Sequence, residues 1–223
     1  MPVAFFPHPS LANPEGFLAM GGDLSEETLV LAYHFGIFPW YSEGQPILWW
    51  TPDPRCILWP DSLKVSKSMR QLLNKDPFQV TADHAFDEVI TACKEIKRVD
   101  QGGTWITDEM QWAYQKLHAR GVAHSVEVWD GPELVAGIYG ISLGKIFFGE
   151  SMFTRIPNGS KYGFIRLVRK LESLNYVLID CQQDTPHLRS LGATTIPRHL
   201  FMEFLKENRL RGDEGGNWRH WAL

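Results

Sequence analysis

The stretch from His124 to Glu150 constrains the fold more than any other. Three runs, "HSVEVWD", "LVAGIYGI" and "KIFFGE", are rich in β-branched and aromatic residues and are joined by short turns at Asp130-Gly131 and at Ser142-Leu143-Gly144. Strand-forming runs separated by such short turns spell an antiparallel meander. The rhythm then changes. Residues 160–174 read as a helix, 176–180 as a strand, a helix opened by Thr185-Pro186 ends at Gly192, and 197–206 form a last helix. A meander followed by helix, strand and helix requires a mixed sheet with helices packed on it. The expected class is α+β, or mixed α/β.

The first half is less regular. Residues 1–22 are rich in Pro and Gly and read as irregular. Asp23-Leu24-Ser25-Glu26 offers Asp23 as a cap with Glu26 three residues on, opening a helix that Gly36 closes. Residues 36–55, "GIFPWYSEGQPILWWTPDPR", combine aromatics with prolines, which predicts a stiff loop rather than regular strands. "RCILWP" reads as a short strand, 66–75 as a helix, and 83–93 as a helix with Phe86, Val89, Ile90 and Cys93 on one stripe. Another helix follows Thr107-Asp108.

A chain of 223 residues suits one large domain, or a large and a small one. It contains neither a long apolar span nor a basic, then apolar leader, and its three cysteines have no CxxC spacing. These features fit a cytoplasmic protein with reduced thiols and no membrane partner. The net charge of -4 argues against sequence-blind nucleic-acid binding, but the charge is uneven. Residues 1–54 hold six acids and no Lys or Arg, while basic residues cluster at Arg55, Lys64, Lys67, Arg70 and Lys75 and at Arg155, Lys161, Arg166, Arg169 and Lys170. Each cluster reads either as a solvated helix face or as a phosphate-binding patch.

No HExxH, CxxC, GxGxxG or P-loop pattern occurs, so no metal or nucleotide cofactor is expected. Gly140-Ile141-Ser142-Leu143-Gly144 matches the GxSxG of a hydrolase elbow, but it falls between two strands where that motif needs a following helix. More informative is "LIDCQQD", residues 178–184, where an apolar strand ends in a carboxylate, a thiol and two amides. Asp180 and Gln182 lie two apart and share a face if the strand continues. "GESMF", residues 149–153, sets Glu150 after another wholly apolar strand. Two such strand ends predict one shared polar site.

With these pieces assembled, the sequence resembles the bacterial leucyl/phenylalanyl-tRNA–protein transferases. "GGDL", "AYHFGIFPWY", "ILWWTPDPR", "GTWIT", "AHSVEVW", "GIYG", "FFGESMF" and "LIDCQ" follow that family in order. The resemblance implies a small N-terminal domain, residues 1–60, and a larger domain similar to the N-acetyltransferase (GNAT) fold, residues 61–223, with the boundary near 55 to 65. It implies transfer of Leu, Phe or less often Met from aminoacyl-tRNA to the N-terminal amine of proteins beginning with Arg or Lys, which marks them for degradation by the bacterial N-end rule pathway.

Residue roles come with the resemblance. It assigns Asp180 and Gln182 to orienting and deprotonating the amine, and Tyr33, Trp40, Trp105 and Tyr114 to the terminal adenosine. Ile138, Gly149, Glu150, Phe164, Leu167 and Ile179 are assigned to the donor side-chain pocket. Trp49 and Trp50 are read as packing, and a monomer without cofactor is expected.

Overall fold

The computed structural model describes residues 5–96, 106–211 and 216–223. The meander is present as β6 (Ala123–Asp130), β7 (Glu133–Leu143) and β8 (Ile146–Thr154). These strands anchor a seven-stranded sheet that also contains β4 (Arg55–Leu58), β5 (Gln79–Ala82), β9 (Leu178–Gln182) and β10 (Thr194–Ile196), in the order β10-β4-β9-β8-β7-β6-β5. Every neighbouring pair is antiparallel except β8 and β9, which run parallel. A parallel pair needs a crossover, and the 15-residue helix α5 (Gly159–Ser173) supplies it. The fold is therefore mixed α/β.

The remaining helices are α1 (Glu26–His34), α2 (Lys67–Lys75), α3 (Phe86–Glu95), α4 (Asp108–Ala119), α6 (Pro186–Ser190) and α7 (Arg198–Arg209). None among the described residues is long and apolar enough to cross a membrane. Helix α1 corrects one expectation, because its cap is Ser25, whose Oγ accepts the Thr28 N–H at 3.3 Å. Asp23 stands outside the helix and accepts from the Ser25 N–H at 2.9 Å and the Thr28 hydroxyl at 2.8 Å. Thr185 caps α6, in line with the helix opening at Thr185-Pro186, and Asp184 beside it accepts from Arg189 Nε at 2.6 Å.

A second sheet corrects a larger expectation. β1 (Phe17–Met20), β3 (Leu48–Trp50) and β2 (Phe38–Pro39) form a three-stranded antiparallel sheet in that order, within segments read from sequence as irregular or as a stiff loop. Proline is tolerated because Pro39 ends an edge strand, where a missing N–H need not break the ladder. The central strand, β3, contains none. Its tryptophans fix the surrounding loops, with Trp49 Nε1 donating to the Gly21 carbonyl at 2.8 Å and Trp50 Nε1 to the Trp40 carbonyl at 2.7 Å. Both therefore serve packing.

Two buried clusters flank the large sheet. One joins α1, α3 and α4 to Tyr139, Ile141 and Phe148; the other joins α2 and α5 to Val126, Ile138 and Ile179. Gly140 shows how tight the ladder is, since a Cβ there would lie 2.2 Å from the Phe148 carbonyl oxygen. The C-terminal residues close one end. Trp218 stacks on His124 at 3.8 Å and on Trp221 at 3.9 Å, and its N–H donates to Asp83 Oδ2 at 2.6 Å.

Candidate active site

β8 and β9 pair in parallel only as far as Phe148 and Asp180. Just beyond, each strand carries a bulge. On β8, Gly149 faces Gly140 and Ser151 faces Tyr139, so Glu150 is the extra residue. On β9, Asp180 faces Ile57 and Gln182 faces Cys56, so Cys181 is the extra one. A bulge bends its strand and re-aims side chains, and two at the same level part the neighbouring strands. A cavity of about 320 Å³ is lined by both.

One part of its wall is apolar, with Phe38, Ile138, Met152, Phe164 and Ile179; Pro39 and Trp40 add a further apolar stretch. Glu150, Asp180 and Gln182 supply polar groups. The two strand ends singled out in the sequence thus converge on one site.

Asp180 is completely buried. Arg55 Nε donates to its Oδ1 at 2.8 Å and Arg55 Nη2 to its Oδ2 at 2.6 Å, and the Gln182 N–H adds a bond to Oδ1 at 2.9 Å. Arg55 is itself held by the Gly36 carbonyl at 3.0 Å and lies over the rings of Phe38 and Phe201, 5.0 and 4.8 Å from their centroids. Arg55, which falls within a basic cluster in the sequence, is instead the partner of Asp180. The overlooked signal is a cation opening a wholly apolar run, "RCIL".

Gln182 has φ +60°, a left-handed value that non-glycine residues seldom adopt, and the Gln183 N–H closes a tight turn onto the Cys181 carbonyl at 2.7 Å. The turn carries the carboxamide toward Glu150, to whose Oε1 Gln182 Nε2 donates at 2.8 Å. Tyr33 donates to the same oxygen at 2.7 Å and Tyr114 to Oε2 at 3.1 Å, with the two phenol oxygens 2.5 Å apart. Burial raises the Glu150 carboxyl to about 7; the Tyr33 and Tyr114 hydrogen bonds oppose that rise, and the charge of Asp180 adds to it. Burial, then the charge of Glu150, pushes both phenols well up, so they remain neutral donors.

The structure redistributes several residues singled out from sequence. Ile138, Gly149, Glu150, Phe164, Ile179 and Trp40 line the cavity together with Asp180 and Gln182. Tyr33 and Tyr114, expected against an adenosine, are 1% and 0% exposed and present no ring face to a base. Their edges pack on Phe148 and Tyr139, and their hydroxyls hold Glu150. Leu167, expected in the donor pocket, is buried in the cluster beneath α5 and is not on the cavity wall. Trp105 lies outside the described residues. Ser142 sits at the end of β7, bonded to the Tyr176 hydroxyl at 2.7 Å, and a strand rather than a helix follows.

Known proteins resemble this chain along most of its length. The family described as leucyl/phenylalanyl-tRNA protein transferase matches residues 57–206, and the N-terminal domain of the same family matches 22–53. A leucyl/phenylalanyl-tRNA–protein transferase from Pseudomonas fluorescens (strain Pf0-1) is 56% identical over 88% of this chain and 86% of its own length. One from Syntrophus aciditrophicus (strain SB) is 55% identical over 97% and 90%, and one from Christiangramia forsetii 54% identical over 92% and 97%. Among solved structures, a GCN5-related N-acetyltransferase from Kribbella flavida aligns with TM-score 0.37 and 10% identity over 84% of this chain and 63% of that one. The chain belongs to the leucyl/phenylalanyl-tRNA–protein transferase family of aminoacyltransferases.

Proposed function

We propose that the chain transfers Leu or Phe, and less often Met, from aminoacyl-tRNA to the N-terminal α-amine of cytoplasmic proteins that begin with Arg or Lys, marking them for degradation. What carries this reading is the composition of the cavity, where Ile138, Met152, Phe164 and Ile179 are lining residues together with the bonded Glu150–Gln182 pair. An apolar pocket of that kind takes an unbranched Cβ with a large apolar tip and fits β-branched Ile or Val poorly. The polar pair then faces the ester and the incoming amine.

An aminoacyl ester is already activated and its conversion to an amide is downhill, so the reaction needs neither metal nor cofactor. The protein has to align the two substrates and manage one proton. When Glu150 is ionised it can only accept, so the Gln182 amide nitrogen turns toward it and the Gln182 carbonyl oxygen is left to accept an N–H of the amine. Trp40, on the cavity wall, offers a surface for the terminal adenosine, and Trp105 is proposed for the same role. Lys67, Arg70 and Lys75, on and at the end of α2, are proposed to meet tRNA phosphates without reading sequence. The protein is proposed to act as a monomer, with the small N-terminal domain, residues 1–60, carrying the Gly36 and Phe38 contacts to Arg55.

The test is donor discrimination in a purified reaction. Leu-tRNA and Phe-tRNA are expected to extend an Arg-initiated peptide by one residue, and Ile-tRNA and Val-tRNA to fail. Equal use of Leu and Val would contradict the pocket assignment.

A further inference from the structure

We propose that Glu150, rather than Asp180, receives the proton from the acceptor amine, and that Asp180 is a positioning residue. The inference rests on the aminoacyl-transfer reading of this site. Asp180 is fully buried and both its oxygens are engaged by Arg55. A proton placed on Asp180 would break that bidentate pair and leave the guanidinium, 1% exposed, without its counter-charge in the core. Its geometry suits holding the Gln182 backbone, which it does through the Gln182 N–H at 2.9 Å.

Glu150 has the opposite surroundings. It lines the cavity as the bulged residue of β8, and among the described residues no cation lies within ion-pair distance of it. The groups that face it are Tyr33 from α1, Tyr114 from α4, and Gln182 and Asp180 from β9. The three hydrogen-bond donors are neutral and stabilise the carboxylate, while burial and the nearby Asp180 charge destabilise it. Its pKa of about 7 leaves a large ionised fraction at neutral pH, the form that can accept a proton.

The step balances. The neutral amine attacks the ester carbonyl, forming the N–C bond and a tetrahedral centre with a positively charged nitrogen. The Glu150 carboxylate takes one N–H proton and becomes the acid. As the C–O bond to the ribose breaks, the leaving oxygen recovers that proton, and amide, ribose hydroxyl and carboxylate remain. Gln182, bonded to Glu150, keeps the amine beside that carboxylate throughout.

The experiment measures single-turnover rates for wild type, Glu150→Gln and Asp180→Asn with Leu-tRNA and an Arg-initiated peptide between pH 5.5 and 8.5. The ratio of wild-type to Glu150→Gln rate cancels the amine's own ionisation. It is expected to rise with pH through about 7 and level off at about 100-fold or more. A pH-independent ratio overturns the proposal, as does loss of the inflection in Asp180→Asn but not in Glu150→Gln. With an acceptor beginning with citrulline, whose side chain is uncharged, the Glu150→Gln defect is expected to persist; its disappearance would make Glu150 a binder of the acceptor cation and overturn the proposal. Should Glu150→Gln fail to fold, Tyr114→Phe serves instead. Removing one donor is expected to move the inflection to higher pH, and an unmoved inflection contradicts the assignment. If wild type makes no product, the transferase reading fails; product with a flat ratio sinks only the role of Glu150.

Discussion

Arg55 and Asp180 form a bidentate ion pair, 2.8 and 2.6 Å, with side chains 1% and 0% exposed. The pair ties the loop before β2, through the Gly36 carbonyl, to the strand end that presents Gln182. Removing one partner leaves an uncompensated buried charge. Arg55→Met is therefore expected to cost about 3–5 kcal/mol, read from the urea midpoint. Replacing both partners, Arg55→Met with Asp180→Leu, is expected to restore much of that stability while activity stays lost.

How much of this was legible in the sequence depends on the range of the interactions. The β6–β8 meander and α5 announce themselves through local periodicity and turn residues, and Glu150 and Asp180 through carboxylates at the ends of apolar strands. Nothing local revealed that β4 inserts between β9 and β10, which requires pairing Ile57 with Asp180 across more than a hundred residues. Arg55 consequently looked like a surface cation. The resemblance sets Tyr33 and Tyr114 against the adenosine, and a sequence does not show which end of a tyrosine is used. The β1–β3–β2 sheet is masked in the sequence by its flanking prolines, which exclude central strands but not the edge that Pro39 occupies.

Ionisation of Glu150 should cost stability. Its carboxyl titrates near 7 in the folded chain against an ordinary value of 4.5. Between these values the folded state binds the extra proton, so its stability falls as pH rises from about 4.5 to about 7 and stays reduced above. Glu150→Gln removes that dependence. Relative to wild type, the variant is expected to gain roughly 2 kcal/mol on going from pH 5 to pH 8, less than full burial would give because Glu150 borders an open cavity. Paired denaturant titrations at the two pH values measure it; a constant difference would contradict the assignment.

The C-terminal clasp titrates in the other direction. Burial pushes the Asp83 carboxyl up, but the His124 hydrogen bond and charge, with the Trp218 and Ser125 N–H groups, outweigh it and hold the carboxyl low. The stability this supplies is present above the ordinary carboxylate value and is lost as pH falls through the lowered one. Trp218→Ala, which removes the stack between His124 and Trp221, is expected to cost about 3–5 kcal/mol by urea unfolding at neutral pH.

The apolar wall should set donor choice. Ile138→Phe adds bulk to the cavity lining that Ile138 shares with Phe164, Met152 and Ile179. It is expected to lower kcat/KM about tenfold or more for Phe-tRNA, and less for Leu-tRNA, whose side chain is smaller. Equal losses with both donors would point to a general distortion of the site.

The cavity where β8 and β9 part is proposed to join an aminoacyl ester to an N-terminal amine. The most direct test mixes the purified protein with Leu-tRNA and a peptide beginning with Arg, and follows the peptide by mass spectrometry. One added leucine in an amide bond at the α-amine is expected, formed without added metal or cofactor. An unmodified peptide, with Leu-tRNA intact or merely hydrolysed, would contradict it.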